Sequence, residues 1–193
     1  MRHLRPAILL CAFFVVVTGL AFPVAVWAIA QVAFPHQAEG SLLRDGQGRV
    51  IGSALIGQSF VRPGYFHPRP SAAGSGYDAA SSGGTNFGPI SDKLVNGSDG
   101  LRELARAYRE RNGLESNAAI PADAATRSGS GLDPDISPEN AQLQAARVAR
   151  ARGLPEAHVR QLVARHTRGR TLGLLGEPRV NVLELNLALD ARQ

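Results

Sequence analysis

The chain has 193 residues, which is enough for a membrane helix and one compact domain. Its single cysteine, Cys11, excludes an intramolecular disulfide and a cysteine-based metal site. The net charge of +5 comes almost entirely from arginine, with Lys93 as the only lysine. This charge suits anionic partners such as lipid head groups or nucleic acid, although an arginine-rich composition with solvated faces is the simpler interpretation.

Residues 7–34 form one apolar run without a charged residue. A helix needs about 20 apolar residues to cross a hydrocarbon core, so the run predicts a single transmembrane helix, kinked at Pro23. The alternative is a cleaved secretory signal, for which Ala28-Ile29-Ala30 resembles a cleavage site. Signal cores are much shorter than this run, and we therefore expect a retained anchor.

The charges on either side of the run predict its orientation. Arg2 and Arg5 precede it, whereas the first arginine beyond it is Arg44. Cationic flanks stay in the cytoplasm. We therefore expect residues 1–6 in the cytoplasm, residues 7–34 in the membrane, and residues 35–193 as a soluble extracytoplasmic (periplasmic-side) domain.

The sequence of the first part of this domain predicts a β-hairpin that is followed by a long loop. Residues 41–43 and 49–57 have the composition of two strands, and Asp45-Gly46-Gln47-Gly48 between them is typical of a turn. Residues 62–97 are rich in Pro, Gly, Ser and Asn but contain four aromatic residues, which favours an ordered irregular loop over a flexible linker.

Three helices and a C-terminal strand follow. Apolar spacing predicts helices over residues 98–111, 138–152 and 155–166, the second of them capped by Ser137 and ended by Gly153. Residues 180–183 indicate a strand, and residues 184–189 either continue it or form a last short helix. The predicted fold class is α+β (mixed α/β), behind one transmembrane helix.

The most distinctive local motif is Ser128-Gly129-Ser130-Gly131, followed by Asp133. Successive glycines allow backbone N–H groups to converge on an anion, as in phosphate-binding loops. The P-loop lysine is missing, however, and a tight turn that leads Asp133 towards the next helix explains the same residues.

Other site classes find less support in the sequence. A hydrolase would need a serine, a histidine and an acid, but the GxSxG motif is absent, and His158 and His166 fit surface or packing roles better than metal binding or catalysis. The basic helix pair 138–152 and 155–166 is compatible with a DNA-binding helix-turn-helix. A domain exported from the cytoplasm does not meet chromosomal DNA, so we expect no nucleic-acid partner.

Taken together, several segments in order resemble the C chain of the bacterial Kdp-type potassium-transporting ATPase. The resemblance covers essentially the whole chain, including one N-terminal span. The matching segments are residues 52–58 (GSALIGQ), 65–66 (YF), 69–72 (RPSA), 82–86 (SGGTN), 121–123 (PAD), 128–134 (SGSGLDP), 147–149 (RVA) and 174–186 (LLGEPRVNVLELN).

This resemblance implies a non-catalytic accessory subunit of a high-affinity, ATP-driven potassium importer in the bacterial inner (plasma) membrane. It implies two protein partners, a channel-like potassium-binding subunit and the P-type ATPase that hydrolyses ATP, besides membrane lipid. It further implies a role as a catalytic chaperone that raises the affinity of the ATPase for ATP, with Gln144 and the glycine motif as nucleotide-site residues and ATP as a possible ligand.

The predicted orientation places Ser128 to Asp133 outside the cytoplasm, where ATP is scarce. We therefore favour assembly and stabilisation over the potassium entrance, with any influence on ATP transmitted through the complex. The alternative is a membrane-anchored extracytoplasmic enzyme or ligand-binding domain that uses Ser128, Ser130, Asp133 and a histidine. No metal is expected in either case.

Overall fold

The computed structural model describes residues 3–191, so the two terminal residues at each end, including Arg2 of the predicted cytoplasmic segment, lie outside the described residues. The chain forms two compact units, residues 1–53 and 54–193. Each unit is described by itself.

The first unit begins with a continuous apolar helix, as predicted. Helix α1 (Leu4–Val16) passes through one π-helical turn (Val17–Ala21) into helix α2 (Phe22–Ala33). These 30 residues are long and apolar enough to cross a membrane, and none of their most apolar window is buried. The π turn lies immediately before Pro23, which has no N–H to donate and would clash with the carbonyl of Gly19 in a regular α-helix.

The predicted hairpin follows the short helix α3 (Pro35–Ala38). Strands β1 (Leu42–Arg44) and β2 (Val50–Ser53) pair antiparallel, with Leu42 opposite Ser53. The carboxylate of Asp45 closes the turn by accepting hydrogen bonds from the main-chain N–H groups of Gln47 and Arg49, each at 2.9 Å. The second strand ends at Ser53 rather than at Gly57, because Gly57 donates its N–H to the carbonyl of Leu132 instead of to the hairpin.

The second unit contains the predicted irregular loop and then mostly helices. The described chain has neither helix nor strand between Ala54 and Ser91. The helices are α4 (Asp92–Asn96), α5 (Leu101–Asn112), α6 (Pro138–Arg152), α7 (Glu156–His166) and α8 (Val182–Asp190), with one 3₁₀ turn at Ala122–Ala124.

Local capping explains why helix α6 has its predicted bounds. The Ser137 hydroxyl accepts a hydrogen bond from the Asn140 N–H at 3.1 Å, and Gly153 ends the helix in the left-handed conformation with φ at +65°. Asp123 strengthens this start because its carboxylate accepts hydrogen bonds from Ser137 and from the side-chain amide of Asn140.

A small antiparallel sheet, which the sequence only partly predicts, brings together three short segments of the second unit. Strands β3 (Asp135–Ile136), β4 (Thr167–Arg168) and β5 (Arg179–Asn181) lie in the order β3-β5-β4. The sheet and helices agree with the predicted mixed helix-and-sheet class. The expectation of strand at Val182 and Leu183 is wrong, because the Asn181 side chain accepts a hydrogen bond from the Glu184 N–H and so starts helix α8 at Val182.

The hydrophobic core lies between helices α6, α7 and α8 and the central strand β5. It contains Phe66 from the irregular loop, which is completely buried. The other core members, apart from small alanines, are Ile136, Val148, Val159, Leu162, Val163, Val180, Val182, Leu185 and Leu189. The burial of Phe66 explains how a loop without regular structure is nevertheless held in place.

Candidate functional site

Two amide side chains hold the irregular loop where it enters the core. Asn186 of α8 accepts a hydrogen bond from the Phe66 N–H at 2.8 Å and donates one to the Phe66 carbonyl at 2.9 Å. Gln144 of α6 makes the same pair of bonds to the next residue, His67, at 2.7 and 3.0 Å. The two helices thus supply the hydrogen bonds that a neighbouring strand would otherwise provide.

Gln144 also organises the buried polar groups around it. Its Nε2 donates to the Asn140 Oδ1 at 2.9 Å, and its Oε1 accepts a second hydrogen bond from Arg147 Nη2 at 2.7 Å. Gln144 itself is 1% exposed. With four hydrogen bonds to three residues already formed, its amide has little capacity left for a ligand.

Arg147 is a buried cation whose partners are all neutral. Its guanidinium donates to the Asn112 side chain at 2.9 Å, to the carbonyls of Pro63 and Tyr65, and to Gln144. The side chain forms no ion pair within the part of the chain that the structure describes. Burial, together with the charge of Arg111, lowers the pKa of Arg147 to about 10, so the group stays charged at neutral pH.

His67 lies against this cation and is held neutral. Burial, reinforced by the charge of Arg147, lowers the pKa of His67 to about 4. Its Nε2 lies 3.0 Å from the carbonyl of Arg62, and its Nδ1 lies 3.5 Å from Arg111 Nη1. We assign the proton to Nε2, because only then can both contacts be hydrogen bonds.

Two adjoining cavities open beside His67 and Arg111. One, of about 220 Å³, has a largely apolar and aromatic lining that includes Phe60, Leu104 and Tyr108. The other, of about 370 Å³, is lined by Val61, Pro63, His67, Arg111, Arg147, Arg150 and Ala151. Both share Val61, His67 and Arg111, and we call them together the Arg111 groove.

The glycine motif lies elsewhere and has mostly structural partners. Gly131 is buried with φ at +69°, and a Cβ there would approach the Ala73 nitrogen and the Gly83 oxygen to 2.7 Å. The Ser130 carbonyl accepts hydrogen bonds from the Gly83 N–H and the Ser82 hydroxyl, and the Gly131 carbonyl accepts one from Ser71. The motif therefore fastens residues 71–84 to the domain.

Asp133 forms an ion pair behind this motif. Its carboxylate lies 2.7 Å from Arg69 Nη1 and also accepts a hydrogen bond from the Asp135 N–H. Burial and the neighbouring Asp133 raise the pKa of Asp135, whereas the Arg179 guanidinium opposes that shift. Arg69 connects Asp133 to the Arg111 groove, since it also lines the smaller cavity.

The structure therefore separates the residues that the sequence suggests as one site. Gln144 lies in the buried network and lines the Arg111 groove, whereas Ser128, Gly129, Ser130, Gly131 and Asp133 line neither of its cavities. His158 and His166 are half-buried on α7 and form no side-chain hydrogen bond within the described residues. Residues 3–191 hold no group of three metal-ligating side chains.

Sequence reasoning missed His67 and Arg111, and it considered Arg150 only as one of the basic residues of the helix pair. His67 lies in the irregular loop directly after Tyr65-Phe66, so these aromatic anchors were the available signal for it. The basic residues of the helix pair suggest a DNA-binding surface, but Arg147 is 8% exposed and four of its N–H groups bond within the protein, so it does not belong to an open basic surface. Helices α6 and α7 form a packed hairpin on the core.

Comparison with known proteins identifies the family. The model of the family described as KdpC: K+-transporting ATPase, c chain, matches residues 4–191. A relative from Caulobacter vibrioides (strain NA1000 / CB15N), named potassium-transporting ATPase KdpC subunit, is 56% identical over 192 residues, which cover 100% of this chain and 94% of that protein.

Two further proteins of the same name give similar values. The relative from Myxococcus xanthus is 56% identical, with 94% of this chain and 84% of its own length covered. The relative from Mycobacterium tuberculosis (strain ATCC 25177 / H37Ra) is 53% identical, with 98% of both chains covered. The chain therefore belongs to the K+-transporting ATPase c chain (KdpC) family.

Proposed function

We propose that this chain is the accessory, non-catalytic subunit of an ATP-driven potassium import complex. The observation that carries the proposal is the match along essentially the whole chain to a family and to relatives named as subunits of a potassium-transporting ATPase. The expected protein partners are a channel-like potassium-binding subunit and the P-type ATPase subunit.

The N-terminal helix supports membership of a membrane complex. Its apolar side chains are exposed along Leu4–Ala33, so they need lipid or neighbouring helices to cover them. With Arg5 before the span and no cation beyond it until Arg44, the charge distribution favours an N-terminus in the cytoplasm and a domain outside, across a bacterial inner membrane.

The role of the extracytoplasmic domain is then assembly and stabilisation over the potassium entrance. The hydrogen bonds of Gln144 and of the glycine motif go to protein partners, which supports an interaction loop at Ser128 to Ser130 rather than a nucleotide site. An increase in the ATP affinity of the ATPase subunit, which the family resemblance implies, would then be a coupling free energy transmitted through the complex.

Co-purification tests this function directly. The tagged chain, expressed with its neighbouring genes, should retain two larger membrane proteins, and omission of the chain should raise the KM of the complex for ATP. The purified chain alone should neither hydrolyse ATP nor bind it. Recovery of the chain in full yield without any partner would overturn the proposal.

Cysteine labelling tests the orientation. In a Cys11→Ser background, Glu115→Cys in an exposed turn should react with a membrane-impermeant maleimide in intact spheroplasts. His3→Cys, which keeps Arg5 before the span, should react only after permeabilisation. The reverse pattern would place the domain in the cytoplasm.

A further inference from the structure

The Arg111 groove combines positive charge without a compensating acid and an adjoining apolar cavity. Arg111, Arg147 and Arg150 line its larger cavity, which contains no aspartate or glutamate. None of the three arginines has an acidic partner within 4.0 Å among the described residues. A concave site that is lined by charges of one sign attracts a ligand of the opposite charge.

Arg147 is the buried one of the three arginines, and for it the lack of an acidic partner is energetically unfavourable. Arg147 is 8% exposed, and four of its five N–H groups bond to neutral acceptors. Taking a guanidinium out of water without an opposite charge is unfavourable by several kcal/mol. A carboxylate over Arg147 would offset part of that cost.

The remaining hydrogen-bond donors limit what the ligand can be. Arg147 has one Nη2–H left to give, so most of the contacts must come from Arg111 and Arg150 at the rim. The walls beside them are apolar, namely Pro63, Ala151 and Val61, which is 80% exposed. An acidic side chain with an aliphatic stem fits such a site better than a free phosphate does.

The neighbouring cavity points to a polypeptide rather than a small ion. It adjoins the arginines through Val61 and His67 and is lined by Phe60, Leu104 and Tyr108. A segment with an acidic residue next to an apolar one could fill both cavities at once.

We propose that the Arg111 groove receives an acidic segment of another subunit of the complex, with a carboxylate seated on Arg111, Arg147 and Arg150 and an apolar side chain beside Tyr108. This inference rests on the proposed function, because it needs a complex for the chain to join. It adds a docking surface and the chemistry of the partner segment.

Charge reversal at the rim tests the groove in the intact complex. In Arg111→Glu/Arg150→Glu, both altered side chains are exposed, and the side-chain hydrogen bond that is lost among the described residues is the 3.5 Å contact of Arg111 with His67. The thermal melting midpoint of the full chain should therefore fall by no more than a few degrees. The variant's recovery of partner subunits should fall by roughly tenfold or more, and the loss should be imitated in the wild type by high salt. Arg102→Glu/Arg165→Glu is the control with the same change of charge: both are exposed arginines, on α5 and α7, without an ion pair in the described chain, and the variant should leave recovery unchanged.

Photo-crosslinking identifies the occupant without changing any charge. A benzoylphenylalanine at Val61, on the wall of the groove, should crosslink to a partner-subunit peptide that contains aspartate or glutamate. A crosslink only to phospholipid, only to a second copy of this chain, or to nothing would overturn the proposal.

Two further results separate the possible failures. If the wild-type chain retains no partner, the proposed function itself fails. If it does retain partners and Arg111→Glu/Arg150→Glu retains them equally well, only the docking surface fails. A rise in melting temperature with inorganic phosphate, present in the wild-type chain and absent from the double variant, would assign a free phosphate site and also overturn the proposal.

Discussion

The side-chain amide of Gln144 bonds both main-chain groups of His67, accepting from its N–H at 2.7 Å and donating to its carbonyl at 3.0 Å. The two residues are 77 positions apart in the chain. A helix side chain therefore fixes the loop that forms one wall of the Arg111 groove. Its removal should lower the stability of the protein by more than the loss of one hydrogen bond would.

We expect Gln144→Leu to destabilise the protein strongly. The change leaves the His67 N–H and carbonyl, Asn140 Oδ1 and Arg147 Nη2 without this partner, and buried unsatisfied groups cost about 1–3 kcal/mol each. The free energy of unfolding should fall by about 3 kcal/mol or more in denaturant titrations of the full chain in detergent.

Gln142→Leu on the same helix is the control. Gln142 is only half-buried, and its hydrogen bonds are to Arg160. Its loss should cost less than about 1 kcal/mol. Equal effects of the two substitutions would contradict the clamping role of Gln144.

Stability should depend on pH through His67. Its pKa is about 4 in the fold against 6.5 for an ordinary histidine. The unfolded chain therefore takes up a proton near pH 6.5 that the folded chain refuses until about pH 4. The contribution of the neutral, buried His67 to the free energy of unfolding is therefore fully present above pH 6.5. It declines as the pH falls from 6.5 to 4 and changes no further below pH 4.

His67→Gln should flatten this dependence. Thermal melting of the variant should fall less than that of the wild type between pH 6.5 and 4, because the titrating group is gone. Gln142→Leu on α6, which removes no titratable group, should keep the wild-type slope. Parallel curves for wild type and His67→Gln would show that His67 is not buried in its neutral form.

The glycine motif offers a matched pair of alanine substitutions. Gly131→Ala should cost about 2–4 kcal/mol, because φ is +69° and the new Cβ would approach the Ala73 nitrogen and the Gly83 oxygen to 2.7 Å. Gly129→Ala meets nothing within 4 Å and should stay within about 0.5 kcal/mol of the wild type. Denaturant titrations of both variants measure the difference, and a larger loss for Gly129→Ala would reverse these structural roles.

The pair of Arg152 and Asp190 should matter more than an ordinary surface ion pair. The Arg152 side chain is 6% exposed, stacks on the ring of Tyr65 and lies 2.7 Å from the Asp190 carboxylate. Asp190→Ala leaves this cation unpaired and should cost about 1–3 kcal/mol. Glu156→Ala, which breaks the exposed pair with Arg160, should cost less than about 0.5 kcal/mol in the same unfolding assay.

How much of this the sequence could predict depends on the distance between interacting residues. Helix α6 has its predicted bounds because Ser137, Pro138 and Gly153 act on their immediate neighbours. The membrane helix follows from composition alone. Strands β3 and β4 have two residues each and are stabilised by pairing with β5, so no local pattern indicates them.

The candidate site was harder to predict from the sequence for the same reason. A glutamine in the middle of a helix is unremarkable until its partner, His67, is brought to it by the fold. The expectation at Val182 failed because residues 180–183 by themselves suggest a strand, whereas the Asn181 cap stabilises a helix there. The glycine motif was predicted as either an anion loop or a tight turn, and only the contacts of Gly131 with residues 73 and 83 reveal its partners.

The π turn before Pro23 also divides the N-terminal apolar helix into two differently oriented halves. An inserted residue displaces every later side chain by one helical position, or about 100° around the axis. The stripe that contains Phe13 and Phe14 in α1 therefore does not continue straight into the stripe that contains Trp27 in α2. One straight neighbouring helix cannot follow the same face along both α1 and α2, so the two helices present different faces for contact.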